Sequence, residues 1–349
     1  MTLSDRWGLQ FPLIQAPMAG AQGSAMAIAV CQAGGLGSLP CAMLSPEAIQ
    51  AELTAITSAT DLPYNVNFFC HAPPKPDAAA DAAWRARLQP YCDEFGVDSS
   101  AIPAGPGRAP FSHEAADVLE AFKPAVVSFH FGLPAPDLLA RVKSWSSQVL
   151  ASATTLEEAV WLQARGVDAI IAQGWEAGGH RGIFLNDDLS TQMGTFALLP
   201  QIVNAVSVPV IAAGGIADAR GVAAAMALGA AGVQVGTAYL LCPEANTSAL
   251  HRAALVSPAA KHTAVTNIFT GRPARGIVNR AMRELGPINP DVPAFPLPAP
   301  LMTTLRVQSE QLGKDDFRPL WAGQNVSGCR AVGAAQITQD LAKGFLPPL

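Results

Sequence analysis

Three runs in the second half of the chain end in glycine: Ala169-Ile-Ile-Ala-Gln173-Gly174, Val210-Ile-Ala-Ala-Gly214-Gly215 and Val233-Gln234-Val-Gly236-Thr237. Each is apolar enough to be a strand buried on both faces. Glycine at the carboxyl end of such a strand lets main-chain N–H groups approach a ligand with no Cβ in the way. Helices are expected to begin near Asp218 and beyond Thr237, so amide donors and helix amino-termini converge on one place. That pattern binds phosphate, and it puts a phosphorylated ligand at the mouth of a β/α barrel.

Polar residues of matching parity form a second set. Asn65 and Asn67 share one face of a predicted strand, and Ser128 and His130 share one face of another. Val66, Phe68, Val127, Phe129 and Phe131 are expected on the opposite faces, against helices. The amides, the hydroxyl and the imidazole then point inward at the strands' carboxyl ends, at the height of Gln15, Gln173 and Gln234. Such a ring is costly to bury without partners. It bonds either to itself and water or to a ligand rich in carbonyl and ring-nitrogen groups. Beside a phosphate site, the isoalloxazine of FMN fits that ring better than a sugar does.

The elements that must position these residues alternate along the chain. Strands are predicted near 12–16, 36–39, 65–69, 125–130, 149–153, 169–173, 208–213 and 232–236. Helices are predicted at 24–33, 46–58, 136–146, 155–165, 195–206 and 218–229. This rhythm reads as an α/β protein, a (β/α)8 TIM barrel over residues 1–240. A doubly wound open sheet competes, but no G-x-G-x-x-G opens a helix after the first strand. Residues 71–123 are too long for a simple crossover. They read as an insertion after the third strand with one helix near 78–95 and loops at Pro73-Pro74-Lys75-Pro76 and Pro103-Ala-Gly105-Pro-Gly107. Residues 241–349 read as a substrate-side cap, with a proline-stiffened stretch from Pro287 to Pro300 and helices near 301–312 and 334–343.

Bulk properties exclude several classes. Of 349 residues half are apolar and 14% charged, and the net charge of −5 leaves no footprint for nucleic acid. Every apolar run is interrupted well short of the about 18 residues that cross a membrane. The start carries no secretory pattern, and the six cysteines are scattered without C-x-x-C, so a cytoplasmic enzyme with free thiols is expected. Cys70 and Cys242 lie near strand ends but read as inert. The six histidines show no metal-ligand spacing, so no metal is expected. Arg181 reads equally as a phosphate neutraliser or a solvated side chain, and Arg272, Arg275 and Arg280 as ion-paired. Gly178-Gly179 is hard to explain by packing alone.

Taken together, Gln15-Ala-Pro-Met18-Ala-Gly20, Asn65-Val-Asn67, Val127-Ser-Phe-His130-Phe-Gly132, Gln173-Gly-Trp-Glu-Ala-Gly178-Gly179-His180-Arg181-Gly182, Ala213-Gly-Gly215-Ile216 and Gln234-Val-Gly236-Thr237 resemble the nitronate monooxygenase (2-nitropropane dioxygenase) family. The resemblance runs from Pro12 to Trp321-Ala-Gly323-Gln324. It implies FMN as cofactor, with contacts from Met18, Asn67, Gln173, Gly178, Gly179, Gly215, Gln234, Gly236 and Thr237. It implies that His130 sits beside the flavin and acts on the substrate. His180 divides between a flavin or substrate contact and support of its glycine-rich loop. The implied reaction is oxidation of alkyl nitronates, propionate 3-nitronate or nitroalkanes with O2 by way of a flavin semiquinone, a detoxifying activity. The tail Pro293–Leu301 lacks the tyrosines that line the pocket in bacterial members, and Arg306 stands near the position of their lysine.

Two other functions share parts of this pattern. FMN-dependent, NAD(P)H-using enoyl-ACP reductases and quinone reductases carry Gln-Ala-Pro-Met and Glu-Ala-Gly-Gly-His, but here no second dinucleotide motif is present. A barrel binding a phosphorylated metabolite without redox work is the remaining reading. The expected partners are a small-molecule substrate and O2, in a monomer or homodimer.

Overall fold

A computed structural model describes residues 2–102 and 108–345, so the motif Pro103–Gly107 lies outside the described residues. The barrel strands are β1 (Leu13–Gln15), β2 (Gly37–Pro40), β3 (Tyr64–Phe69), β4 (Val126–His130), β5 (Gln148–Ala153), β6 (Ala169–Gln173), β8 (Val210–Ala213) and β9 (Gly232–Val235). All pair in parallel in the order β1-β9-β8-β6-β5-β4-β3-β2, and a bridge between Ile14 and Leu36 closes the ring. The expected barrel is therefore present, with its eight strands close to their predicted ranges. The short β7 (Gly179–His180) lies outside it, in an antiparallel sheet with β10 (Thr263–Thr266) and β11 (Ala274–Ile277) that the sequence did not suggest.

Alternation sorts the strand residues as their polarity requires. Val66, Phe68, Val127, Phe129, Val149 and Ala151 pack outward against the helices. Ile14, Leu36, Val126, Leu150, Ala169 and Ile211 fill the interior, where the helix Leu3–Trp7 plugs the amino-terminal end with Leu3 and Trp7. Phe131 departs from the expected parity. Its φ of 69° turns the chain out of the strand, and the ring lies over the mouth in a cluster with Ala42, Phe69 and Phe295.

Among its described residues, the segment 71–123 holds two α-helices, not one. Ala78–Phe95 was anticipated; His113–Phe122 was not, and it packs between the helices Pro46–Ala59 and Pro136–Ser144 as the crossover before β4. Ala78–Phe95 lies on Ala299–Gln311 of the tail, and together they bury Trp84, Leu88, Leu301, Leu305 and Phe317 in a second core. The last tail helix, Ala334–Ala342, sits against Ser24–Gln32 and Ala219–Ala227, completing the helical ring. Its Ile337 and Leu341 are buried there, worth about 2 kcal/mol each.

Candidate active site

The carboxyl ends of β8 and β9 supply main-chain donors. Gly214 and Gly215 follow β8 with φ of 114° and 75°, values that only glycine holds without strain. The N–H groups of Gly215 and Ile216 find no acceptor among the described residues. On β9, Gly236 leads into Thr237, whose Oγ1 accepts from Gly323 N at 2.9 Å. The two helix termini expected beside them contribute less than their positions suggest. Asp218 already caps the helix Ala219–Ala227 with its own carboxylate, and beyond Thr237 the chain makes only the short turn Thr237–Tyr239. Any anion bound here would meet loop amides, since a carboxylate at a helix amino-terminus satisfies the donors a phosphate would use.

Packing does explain one of the paired glycines. A Cβ on Gly178 would fall 2.5 Å from Gly323 N, so the tail's passage requires glycine at that position. Gly179, with φ 70°, faces open space.

The polar ring divides by depth. Gln15 is spent within the protein, exchanging hydrogen bonds with Gln22 at 2.6 and 3.0 Å and accepting from Ser38 N. Asn65 donates to Ser38 Oγ, while Asn67 donates to Ser128 Oγ at 3.0 Å. Gln173 turns toward the following loop: its Nε2 donates to the His180 carbonyl at 2.9 Å and its Oε1 accepts from Gly182 N at 2.7 Å. Two of these amides keep a buried oxygen without a donor, Asn65 Oδ1 and Gln234 Oε1, and of the two only Gln234 lines the cavity described next. Every residue named above as a flavin contact, with His130 and His180, lines one cavity of about 280 Å³. Gln15 and Asn65 do not line it, and neither do Cys70 and Cys242.

His130 stands at the end of β4. Its Nδ1 is 3.0 Å from Ser152 Oγ and its Nε2 3.2 Å from the His180 carbonyl oxygen. Burial lowers its pKa to about 4; the His180 carbonyl opposes this, and Arg272 and Arg181 add to it. The ring is therefore neutral at pH 7. His180 is held well below the usual histidine range, by burial first and then by Arg108. Its backbone pairs with Ala274 in the small sheet and its Nε2 meets Thr270 Oγ1 at 2.9 Å.

Arg181 is neither a phosphate partner nor a surface residue. It is fully buried, donates to the carbonyls of Gln173 and Gly174, and forks onto Gln192 Oε1. Among the other arginines, Arg280 is ion-paired as expected, to Glu94, Glu284 and Asp316. Arg275 instead donates to the Trp175 carbonyl, and Arg272 lies 4.1 Å above the Phe131 ring.

Several cavity residues went unnoticed in the sequence. Ser152 and Phe69 share the inward parity of their strands and were findable by the argument that located His130. Arg108, His251, Arg318 and Trp321 come from the insertion and the tail, where no periodicity announces them. Arg306 also lines the wall, and one carboxylate, Glu310, serves both Arg306 and Arg318. The outer wall thus carries excess positive charge. No described helix is long and apolar enough to cross a membrane.

Comparison with known proteins places these observations in a family. The nitronate monooxygenase family profile matches residues 1–344. A nitronate monooxygenase of Paraburkholderia phytofirmans is 40% identical over 96% of this chain and 92% of its own length. The solved nitroalkane oxidase of Streptomyces ansochromogenes superposes with a TM-score of 0.89 at 36% identity, covering 98% of this chain and 97% of that one. FabK of Thermotoga maritima is more distant, with a TM-score of 0.73 at 26% identity over 99% of this chain and 96% of its own.

Proposed function

The chain belongs to the nitronate monooxygenase family, and from that premise we propose that it is an FMN-dependent oxidoreductase that oxidises alkyl nitronates with O2. The residues fit the cofactor. Unpaired amides at Gly215 and Ile216 suit its phosphate, and the orphaned Gln234 Oε1 suits a ring N–H. Met18, Asn67, Gln173, Gly178, Gly179, Gly236 and Thr237 line the same cavity and would hold the rest of the cofactor. Bound there, the flavin supplies electron acceptance and the reaction with O2.

The chain's own residues bind and orient the substrate. A nitronate is an anion, and Arg108, Arg306 and Arg318 on the outer wall favour it electrostatically. Aromatic side chains of Phe69 and Trp321 keep that wall dry. His130, neutral at pH 7, suits removal of a proton from a neutral nitroalkane better than it suits holding a nitronate as imidazolium. His180 shapes the wall beside it through its contacts with Phe69 and Trp321.

The observation that carries this reading is one cavity joining free β8-loop amides, an orphaned amide oxygen on β9 and a neutral histidine on β4. Purified protein should be yellow, or become so with FMN, and should consume O2 with ethylnitronate. A preparation that stays colourless in FMN sinks the proposal. Anaerobic mixing with NADH separates it from the reductase reading: rapid bleaching of the flavin would favour the reductase.

A further inference from the structure

Both ring nitrogens of His130 are already engaged. The His180 carbonyl can only accept, so Nε2 carries the ring proton and donates it across 3.2 Å. Nδ1 is then the one basic lone pair, and Ser152 Oγ sits on it at 3.0 Å. Ser152 comes from β5, the strand paired to β4, and shares the inward parity of Leu150; it lines the cavity beside His130. Gly182 closes over the pair: a Cβ there would lie 3.0 Å from His130 Cε1 and 3.1 Å from Ser152 Cβ. Any side chain at that position would collide with both groups, and Gln173 holds the loop in place through Gly182 N.

We propose that Ser152 Oγ meets the carbon-bound proton of a neutral nitroalkane, and that Ser152, His130 and the His180 carbonyl form a proton relay. The relay rests on the nitronate reading and assigns Ser152 a part in proton removal from the neutral nitroalkanes, the acids from which nitronates form. The C–H bond breaks and its electron pair moves onto the nitro group, giving the nitronate. That proton joins Ser152 Oγ as the hydroxyl's own proton passes to His130 Nδ1. The imidazolium keeps its Nε2–H on the His180 carbonyl, whose negative end stabilises the new charge. One nitronate and one imidazolium result, with no change in net charge and no further reactant. A preformed nitronate skips this step, so Ser152 distinguishes the two substrates.

The test compares wild-type and Ser152→Ala holoenzyme on nitroethane and on ethylnitronate. The variant should lose about 10²-fold in kcat/KM on nitroethane, the scale of general-base catalysis. The ratio of kcat/KM on nitroethane to that on ethylnitronate should fall at least tenfold. Exchange of the C1 protons of nitroethane in D2O under argon, followed by ¹H NMR, reads proton removal without oxidation and should fall by the same factor. Equal losses on both substrates would make Ser152 merely structural and overturn the relay. No loss on either would mean that the ring takes the proton directly, and also overturns it. A wild type that oxidises ethylnitronate, yet neither oxidises nitroethane nor exchanges its protons, overturns the relay and leaves the nitronate reading standing. A wild type inert toward both overturns that reading as well.

Discussion

Glu158 and Arg181, both fully buried, are joined through two neutral side chains. Arg181 donates to Gln192 Oε1, Gln192 Nε2 donates to Thr154 Oγ1 at 3.0 Å, and Thr154 Oγ1 donates to Glu158 Oε2 at 2.7 Å. Glu158 Oε1 also accepts from the backbone N–H of Phe184 and Leu185. The network ties the helix Leu156–Ala164 to the loop that carries Gly178, His180 and Gly182. Its polar groups are costly to bury singly and mutually satisfied together.

Glu158→Gln should therefore loosen that loop. Replacing a charged acceptor of several hydrogen bonds predicts a loss of about 2–3 kcal/mol, read from the urea midpoint. Weaker FMN binding should accompany it, because Gly178, Gly179 and His180 of that loop line the cavity proposed to hold the cofactor. A variant as stable as wild type would show that the network is dispensable.

Gln234→Leu separates cofactor binding from folding. In the cofactor-free protein, removing an unpaired buried oxygen should leave stability unchanged or slightly raised. FMN affinity, measured by fluorescence quenching, should nevertheless weaken by at least about tenfold, the worth of one buried hydrogen bond. Equal affinity would mean that Gln234 does not face the cofactor.

Gly178→Ala drives a methyl group into the tail at Ala322 and Gly323. Overpacking of this kind costs about 1–3 kcal/mol. Limited proteolysis should find the tail segment near Trp321 more accessible, and FMN should dissociate faster.

Buried neutral histidines make the fold sensitive to acid. Burial lowers the pKa of His71 to about 4, with the Arg108 backbone opposing this and Arg272 and Arg108 assisting; His130 and His251 are also lowered to about 4. Unfolded histidine takes up its proton near pH 6.5, so from there down to about 4 the unfolded state binds more protons than the folded state. Stability is complete above that window and is lost as pH falls through it. The Tm should drop between pH 7 and pH 4.5, and by less in His71→Phe, which removes one of four such contributions, His180 being held below the usual range as well. A variant with an undiminished drop would exclude His71 as a contributor.

Local pattern was enough to determine the barrel and the direction of its inner polar side chains. Alternation along a strand fixes which residues share a face, so Asn67, His130 and Gln234 could be sent inward, and glycine-ended strands mark where backbone must approach a ligand. The tertiary structure decided which polar groups remain free to act. Gln15 is consumed by Gln22 and Ser38, and Gln173 by the loop after it, through contacts that no strand or helix period encodes; only the cap that Asp218 places on its own helix is a local signal. It also decided that Arg181 is buried and that Gly178 answers to the tail. The loops and termini that wall the cavity carry no repeat, so their placement emerges only when the second core brings insertion and tail together.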